Sequence, residues 1–514
     1  SVFLRGTEAR LTLLLADGVR LGSATLGTPS WDNIPLEMIE RIEVLKGPAS
    51  ALYGSDAVGG VVQVFLRKGQ QGLHPHASLT AGSGHHLRAA AGLQAGQGAL
   101  RYSLGVQRLY ERGFSATNER VPFGNHNPDR DPFAQEALDA SFDLDLGRSW
   151  KLDAGLLYSD GESAFDDGPG RDARLALRNA TAHARLGGAL ATGWRSELQY
   201  SQGRDVSDSI EARNPGAFKT VQSQWTWQNH LDSPLGTVLA GLEQSVQRVD
   251  SSTAYAVTER TIDSAFAGLD GSRGAHSWQA NLRHDRNSQF GGNDTGFLGY
   301  GYRLTPAWRL HAAHGTSFVA PSFNQLYFPG FGNPALEPER GRNTDLGLSW
   351  VRGLHELKLV RFDNRIRGFI ARSTTSSSNI PRARIEGWTL GYAGQVADLA
   401  LRGSLEWLDP RNEANGRLLP RRAQRQATLG AEQAMGNWLF GASLLYVGER
   451  YDDAANTRRM PGYTTADLHA DWRFAPDWTL QAKLNNVADK QYETAFGYNQ
   501  PGRSAYLTLR WVPR

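Results

Sequence analysis

The sequence predicts an all-β fold: a 22-stranded antiparallel transmembrane β-barrel over residues 71–514, preceded by a small N-terminal α/β plug domain over residues 1–70. Three observations predict it. Apolar and polar residues alternate with period two along most of the chain, which is the pattern of strands with one wet and one apolar face. Short turns before tryptophans alternate with long loops rich in Gly, Pro and Asn. A compact unit rich in glycine and β-branched residues stands in front of this β region.

That first unit is clearest between residues 34 and 68. Pro35 suits a first helical turn, and Ile34, Met38, Ile39 and Ile42 lie at helical spacing, so a short helix running into a strand is expected. GPASALYGSDAVGG (47–60) carries the glycines and proline of tight turns, and VVQVFL (61–66) reads as a β-branched strand. At the start of the chain, Ser1 opens directly into VFLRG, another expected strand.

Beyond residue 71, Phe142, Leu144 and Leu146 interleave with Asp143 and Asp145. Ala466, Leu468, Ala470, Trp472 and Phe474 interleave with Asp467, His469, Asp471 and Arg473. Trp150, Trp194, Trp308, Trp438 and Trp478 each follow a short turn, at gaps that are roughly multiples of forty, about one hairpin with its loop. Tryptophan at the short-turn end of a strand fits an interfacial girdle. A propeller also repeats near forty residues, but its blade signatures are missing. About forty residues per hairpin over this length gives about eleven hairpins, or about 22 strands, the size of a barrel with a plugged lumen.

Composition narrows the function classes. Lys+Arg number 55 against 52 Asp+Glu, without a basic run, which argues against a nucleic-acid partner. No stretch approaches about eighteen consecutive apolar residues, so helical membrane spans are not expected. The negative mean hydropathy suits a soluble all-β protein or a membrane barrel equally. Cysteine is absent, which removes disulfides and thiol chemistry. G-x-S-x-G, P-loop and HExxH motifs are also absent, so the chain is not expected to be an enzyme.

SVFLRG (1–6), LLLADGVRL (13–21), IERIEVLKGPASALYGSDAVGGVVQVFLRK (39–68), NPALEPERG (333–341) and LNNVADKQYETAFGYNQPGRSAYLTLRW (484–511) resemble TonB-dependent outer-membrane transporters, from end to end of the chain. RHDRNSQFG (283–291), LLPRRAQ (418–424) and YVGERYDD (446–453) resemble the cobalamin (vitamin B12) receptors of that family. Ferric-siderophore and haem receptors share several of the motifs, so they stand as the alternative, with a passive porin or surface adhesin as the reading from another class. The resemblance implies a bacterial outer-membrane location, and capture of cobalamin or another large nutrient chelate from outside. It also implies import driven by TonB and a monomer surrounded by lipid bilayer and lipopolysaccharide. Because the family's plug is longer than residues 1–68, the TonB box and first half of the plug are expected to be missing. Ligand binding without TonB coupling is the consequence expected for the chain as written.

The resemblance also nominates residues. Ser23, Ala24, Thr25 and Leu26 after DGVRL, and Ser50, Ala51, Leu52 and Tyr53, stand as substrate-facing plug apices, against the reading that their glycine-rich surroundings simply make turns. Phe323 and Tyr327 lie in an aromatic loop with Phe318, Phe328 and Phe331 that either stacks on a flat macrocycle or packs on itself. Arg5, Arg41 and Glu43 are expected as plug–barrel ion pairs, as a structural network rather than a release latch. Asp160, Asp166, Asp205 and Asp208 either ligate calcium or form a solvated acidic surface. His74, His76, His85 and His86 cluster behind the plug as solvated residues rather than ligands of a metal or haem iron.

Overall fold

The computed structural model describes residues 3–372 and 376–513. Its plug is a four-stranded sheet in the order β2-β1-β4-β3. The strands are β1 (Thr12–Ala16), β2 (Val19–Arg20), β3 (Ile39–Lys46) and β4 (Gly60–Leu66). β1 and β4 run parallel, and the other two pairings are antiparallel. Asp17 and Gly18, with φ of 47° and 83°, make the two-residue β1–β2 turn, where Asp-Gly is favoured because both residues need positive φ. Leu14, Ala16, Val62 and Val64 pack on one side of the sheet, and Leu13, Leu15 and Val61 on the other.

Three local expectations are corrected. The helix expected after Pro35 is one 3₁₀ turn, Leu36–Met38, with Pro35 itself extended before it. Ile39 and Ile42 belong to β3, since the β-branched run from Ile39 to Val44 favours pleated backbone over a second helical turn. Leu4–Gly6 is a 3₁₀ turn instead of a strand, with Arg5 at φ 49°. That turn aims the Arg5 guanidinium at Asp345 and over the Phe362 ring, whereas Ser1 and Val2 lie outside the described residues. Within the expected turn segment, Ser50–Tyr53 forms a single helical turn, α1.

Twenty-two antiparallel strands close around the plug, the last (Ser504–Trp511) pairing with the first (Gly72–Gly82). Strands begin at Trp150, Trp194, Trp308, Trp438 and Trp478, each of the five tryptophans expected at a short turn. Three of them face a second tryptophan across the hairpin: Trp308 with Trp350, Trp438 with Trp472, and Trp478 with Trp511. The girdle thus sits at the end closed by turns such as 98–99 and 436–437. The opposite end carries the long loops 112–132, 320–338, 413–424, 448–462 and 486–503. In an outer-membrane barrel the long-loop end is extracellular.

The lumen is filled unevenly. Leu11 and Val58 of the plug pack on inward-facing Val319, Phe362, Ile366, Phe369, Ile385 and Leu408 of the wall. β2 lies against the strands Arg174–Ala191 and Trp194–Ile210, and α1 against the three strands between His276 and Val319. β3 pairs with β4 alone and leaves Ile42, Val44 and Leu45 about half exposed, at 53%, 48% and 48%.

Candidate ligand-binding site and plug anchorage

The first plug apex is a tight loop over residues 22–29 that the barrel clasps. Gly27 N donates to the Ser23 carbonyl at 2.7 Å, and the Ser23 and Thr25 hydroxyls share a 2.6 Å hydrogen bond. In the 320–338 loop a short helix, α2 (Phe323–Tyr327), has Ser322 as its N-cap, with a reciprocal hydrogen bond from Gln325. The first amides of α2 are satisfied by the plug: Phe323 N donates to Ala24 O and Asn324 N to Thr25 O, both at 3.0 Å. Gln222 Nε2 of the wall donates to Gly22 O at 2.8 Å.

This clasp changes the assignment of the expected contact residues. Ser23, Ala24 and Thr25 are buried beneath α2, and Phe323 is fully buried against Ala24 and Val249. Leu26, at 56% exposure, is the apical side chain that projects. It lines a recess together with Asn324, Gln325, Phe328 and Phe331 of the α2 loop and with Glu8 and Arg10 of the plug. Tyr327 is half-buried, and its hydroxyl accepts from Gln289 at 3.2 Å. At the second apex, Ser50 and Ala51 are buried in the plug's own packing, whereas Leu52 and Tyr53 are half-buried. Burial follows from geometry, since α1 turns its first residues toward Ala57 and its flank toward the wall. Phe328 and Phe331 are visible in the sequence as members of the aromatic loop. Asn324, Gln325 and Leu26 acquire their roles from the clasp.

Ion pairs fasten plug to wall. Arg5 donates to both oxygens of Asp345, at 3.0 and 2.7 Å, as expected for a plug–barrel pair. Arg41 and Glu43 pair with each other at 2.7 Å on exposed β3 and touch no barrel carboxylate or cation among the described residues. Their i,i+2 spacing puts both on one face of a strand that faces the open part of the lumen. The sequence did not disclose the principal lock. Arg10 grips Glu339 with both terminal nitrogens and bonds Glu8 at 2.7 Å, and Ile370 N donates to Glu339 at 2.7 Å. Glu339 is wholly buried, and Arg422 extends the network through Glu8 and the Gly6 carbonyl.

The four aspartates named as either calcium ligands or a solvated acidic surface do not converge on one point. Asp160 lies on the outer face, bonded to Arg178 and Tyr158, while Asp205 is buried in the lumen, held by Ser30 and Asn179. Asp208 is exposed near the end of its strand. The period-two alternation that marks a strand also sends residues three apart to opposite faces. Asp166 instead meets Asp129 and Asp131 of the 112–132 loop, with carboxylate oxygens within 4.8 Å of one another. Thr117 donates to one Asp166 oxygen, and the other is buried without a partner. Burial pushes the Asp131 carboxyl up to about 6, reinforced by the Asp166 and Asp129 charges and opposed by the Ala116 amide. Asp129 is raised by burial and by Asp166. Three hard oxygen donors that repel one another in a loop fit a calcium ion. His74 Nε2 donates to the Gln71 carbonyl, and His86 pairs with Glu111, so the histidines form no common ligand set among the described residues.

A closed 22-stranded barrel with a plug bolted into its lumen and a recess at its long-loop end defines a plugged outer-membrane receptor. Family comparison agrees: residues 75–487 match the TonB dependent receptor-like β-barrel and residues 1–61 the TonB-dependent receptor plug domain. The chain belongs to the TonB-dependent receptors, transporters of the bacterial outer membrane. It is 32% identical over 99% of its length to the vitamin B12 transporter BtuB of Photobacterium profundum, spanning 86% of that protein. The corresponding transporter of Vibrio vulnificus is 29% identical, again over 99% of this chain and 86% of the relative. Among solved structures, the ferric enterobactin receptor PfeA superposes with a TM-score of 0.85 at 18% identity, covering 99% of this chain and 92% of that one. The copper transporter OprC does so at 0.84 and 16%, covering 99% and 94%. At such identities these structures speak to the fold.

Proposed function

We propose that this receptor captures cobalamin at the cell surface and passes it inward in TonB-coupled import. The observation that carries the reading is the similarity to vitamin B12 transporters along 99% of the chain. The recess is compatible with it. Leu26, Phe328 and Phe331 offer an apolar lining and flat rings for a corrin ring, while Asn324 and Gln325 supply amide groups that can exchange hydrogen bonds with its amide arms. A calcium ion on Asp129, Asp131 and Asp166 belongs to the same reading, because it would tie the 112–132 and 165–173 loops together over the binding surface.

Transport in this scheme involves no covalent chemistry. Ligand settles on Leu26 and the α2 loop, and the backbone bonds from Phe323 and Asn324 to the apex link that event to the plug. Energy delivered from the periplasmic side then has to break the Arg10–Glu339 lock for a path to open. The test is equilibrium binding of cyanocobalamin to purified receptor, with and without calcium. Saturable binding strengthened by calcium is expected. Failure to bind cyanocobalamin in calcium, with binding of a ferric siderophore or haem, would transfer the same transport scheme to that ligand.

A further inference from the structure

Between the plug and the wall lies a cavity of about 70 Å³ that shares Arg10, Ser322 and Gln325 with the ligand recess. That volume holds several waters or one tetrahedral oxyanion. The charged side chains lining it are unequal: Arg10, Arg20 and Arg260 stand against a single carboxylate, Asp56. Arg10 is committed to Glu339 and Glu8. Arg20 pairs with Asp56 at 3.2 Å and donates to the carbonyls of Tyr53 and Ser55. Arg260 is the cation left over.

Arg260, on the strand Glu259–Arg273, is 4% exposed and has no carboxylate within 4.0 Å among the described residues. Its Nε donates to Gln289 at 2.7 Å and its Nη2 to the Pro321 carbonyl at 2.9 Å. Phe323 and Phe290 pack against the guanidinium, with 4.8 and 5.4 Å to their ring centroids. These contacts fix its position but leave Nη1 without a hydrogen bond among the described residues. A buried cation without a counter-charge is strongly unfavourable, so the cavity calls for an anion. Two more groups around it are orphaned: Thr12 Oγ1 and Gln247 Oε1 are buried without a hydrogen-bond partner. The Gln247 amide is oriented by its neighbour. Gln222 Nε2 donates to Gly22 O, which leaves Gln222 Oε1 to accept from Gln247 Nε2 at 3.2 Å. Gln247 Oε1 is therefore an acceptor that needs a donor.

We propose that this cavity binds one inorganic hydrogen phosphate ion, whichever nutrient occupies the recess. Arg260 supplies the counter-charge and charge-assisted hydrogen bonds, and the Thr12 hydroxyl donates beside it. The ion's own P–O–H group donates to Gln247 Oε1. An unpaired cation and an unpaired acceptor around one cavity select an anion that still carries a proton at neutral pH. Sulfate and chloride carry none, and either would leave Gln247 Oε1 buried and unsatisfied. The ion joins the wall, through Arg260 and Gln247, to the plug, through Thr12 of β1.

The test is equilibrium dialysis of the detergent-purified receptor against radiolabelled inorganic phosphate, in buffer free of other oxyanions. Saturable binding of one phosphate per barrel is expected, with at least about tenfold more sulfate than phosphate needed to displace half of it. Arg260→Met keeps a long side chain between Phe323 and Phe290 but removes the charge, and is expected to lose at least about tenfold in affinity. Gln247→Leu removes the acceptor and is expected to narrow the preference for phosphate over sulfate. Arg178→Gln, on the outer face, leaves binding unchanged. Heat-modified gel mobility reports whether each barrel is folded. If Arg260→Met does not fold, Arg260→Lys keeps the charge without the fork, and weakened binding is again expected. Absence of saturable binding to the wild-type receptor would overturn the proposal and leave the cavity to water. Unchanged affinity in the folded Arg260 variant, or displacement by sulfate as readily as by phosphate, would overturn it too.

Discussion

Asp131 and Glu339 show how differently a carboxylate behaves at this receptor's two polar centres. With its proton affinity raised to about 6, Asp131 makes the apo loops more stable at low pH. A carboxyl pKa raised above its unfolded value contributes stability that is full below about 4 and is lost as pH rises through about 6. Calcium works in the opposite sense, since it needs the ionised form. Calcium affinity is therefore expected to fall as pH drops from 7 to 5, and Asp131→Asn is expected to flatten that profile while weakening binding. Calorimetric titration at both pH values checks it, and a pH-independent affinity would remove Asp131 from the ligand set. Glu339 is instead wholly buried and doubly gripped by Arg10. Glu339→Gln leaves Arg10 buried with Glu8 as its one carboxylate, a loss of about 3–5 kcal/mol for breaking a buried pair. Hydrogen exchange of the β1 and β4 amides should show protection falling by a comparable amount. Unchanged protection would show that the pair does not seat the plug.

At the scale of elements, the apical loop and α2 act as one unit, because each satisfies the other's backbone. Side chains that project from this unit should govern ligand affinity, and those beneath it should govern stability. Leu26→Ala and Phe328→Ala are each expected to weaken cyanocobalamin binding by about 1–3 kcal/mol with little change in unfolding. Ala24→Leu, which overpacks the seam under α2, is expected to destabilise by about 1–3 kcal/mol. Fluorescence binding and thermal unfolding separate the two classes, and an affinity unchanged in Phe328→Ala would move the site away from the recess. Strand-level structure is legible in the sequence because alternation and turn-borne tryptophans are local signals: Trp150 and Trp478 mark strand starts without reference to anything distant. The places of Ser23, Thr25 and Asp205 escape a local reading because their burial depends on α2 and on Ser30, elements far away in the chain. Arg10 is hidden for the same reason, as its partner lies 329 residues away. The isoleucines after Pro35 are ambiguous even locally, since a run so short fits a helix turn or a strand.

At the scale of the whole molecule, the plug is moored asymmetrically, and this can be tested with a chain that lacks cysteine altogether. The 3₁₀ turn at Leu4–Gly6, the sheet edge β2 and the turn α1 all touch the wall, but β3 faces lumen on its free edge. An unpaired strand edge with exposed Ile42, Val44 and Leu45 is a surface that soluble proteins ordinarily cover. A single cysteine reads out this difference without competing thiols. Val44→Cys, at a position about half exposed, is expected to react with a small membrane-impermeant maleimide at a rate near that of a free thiol. Val61→Cys, on neighbouring β4 and 2% exposed, is expected to remain protected until the plug unfolds. Bulkier maleimides should discriminate further: if the lumen beside β3 is a confined channel, Val44→Cys labelling slows steeply with reagent size, whereas an exposed loop position such as Asn415→Cys shows no such dependence. Ligand should leave both rates nearly unchanged, because the recess lies at the other side of the plug, against α2. Slow labelling at Val44→Cys with even the smallest reagent would mean that β3 is covered, and that the plug fills the barrel from wall to wall.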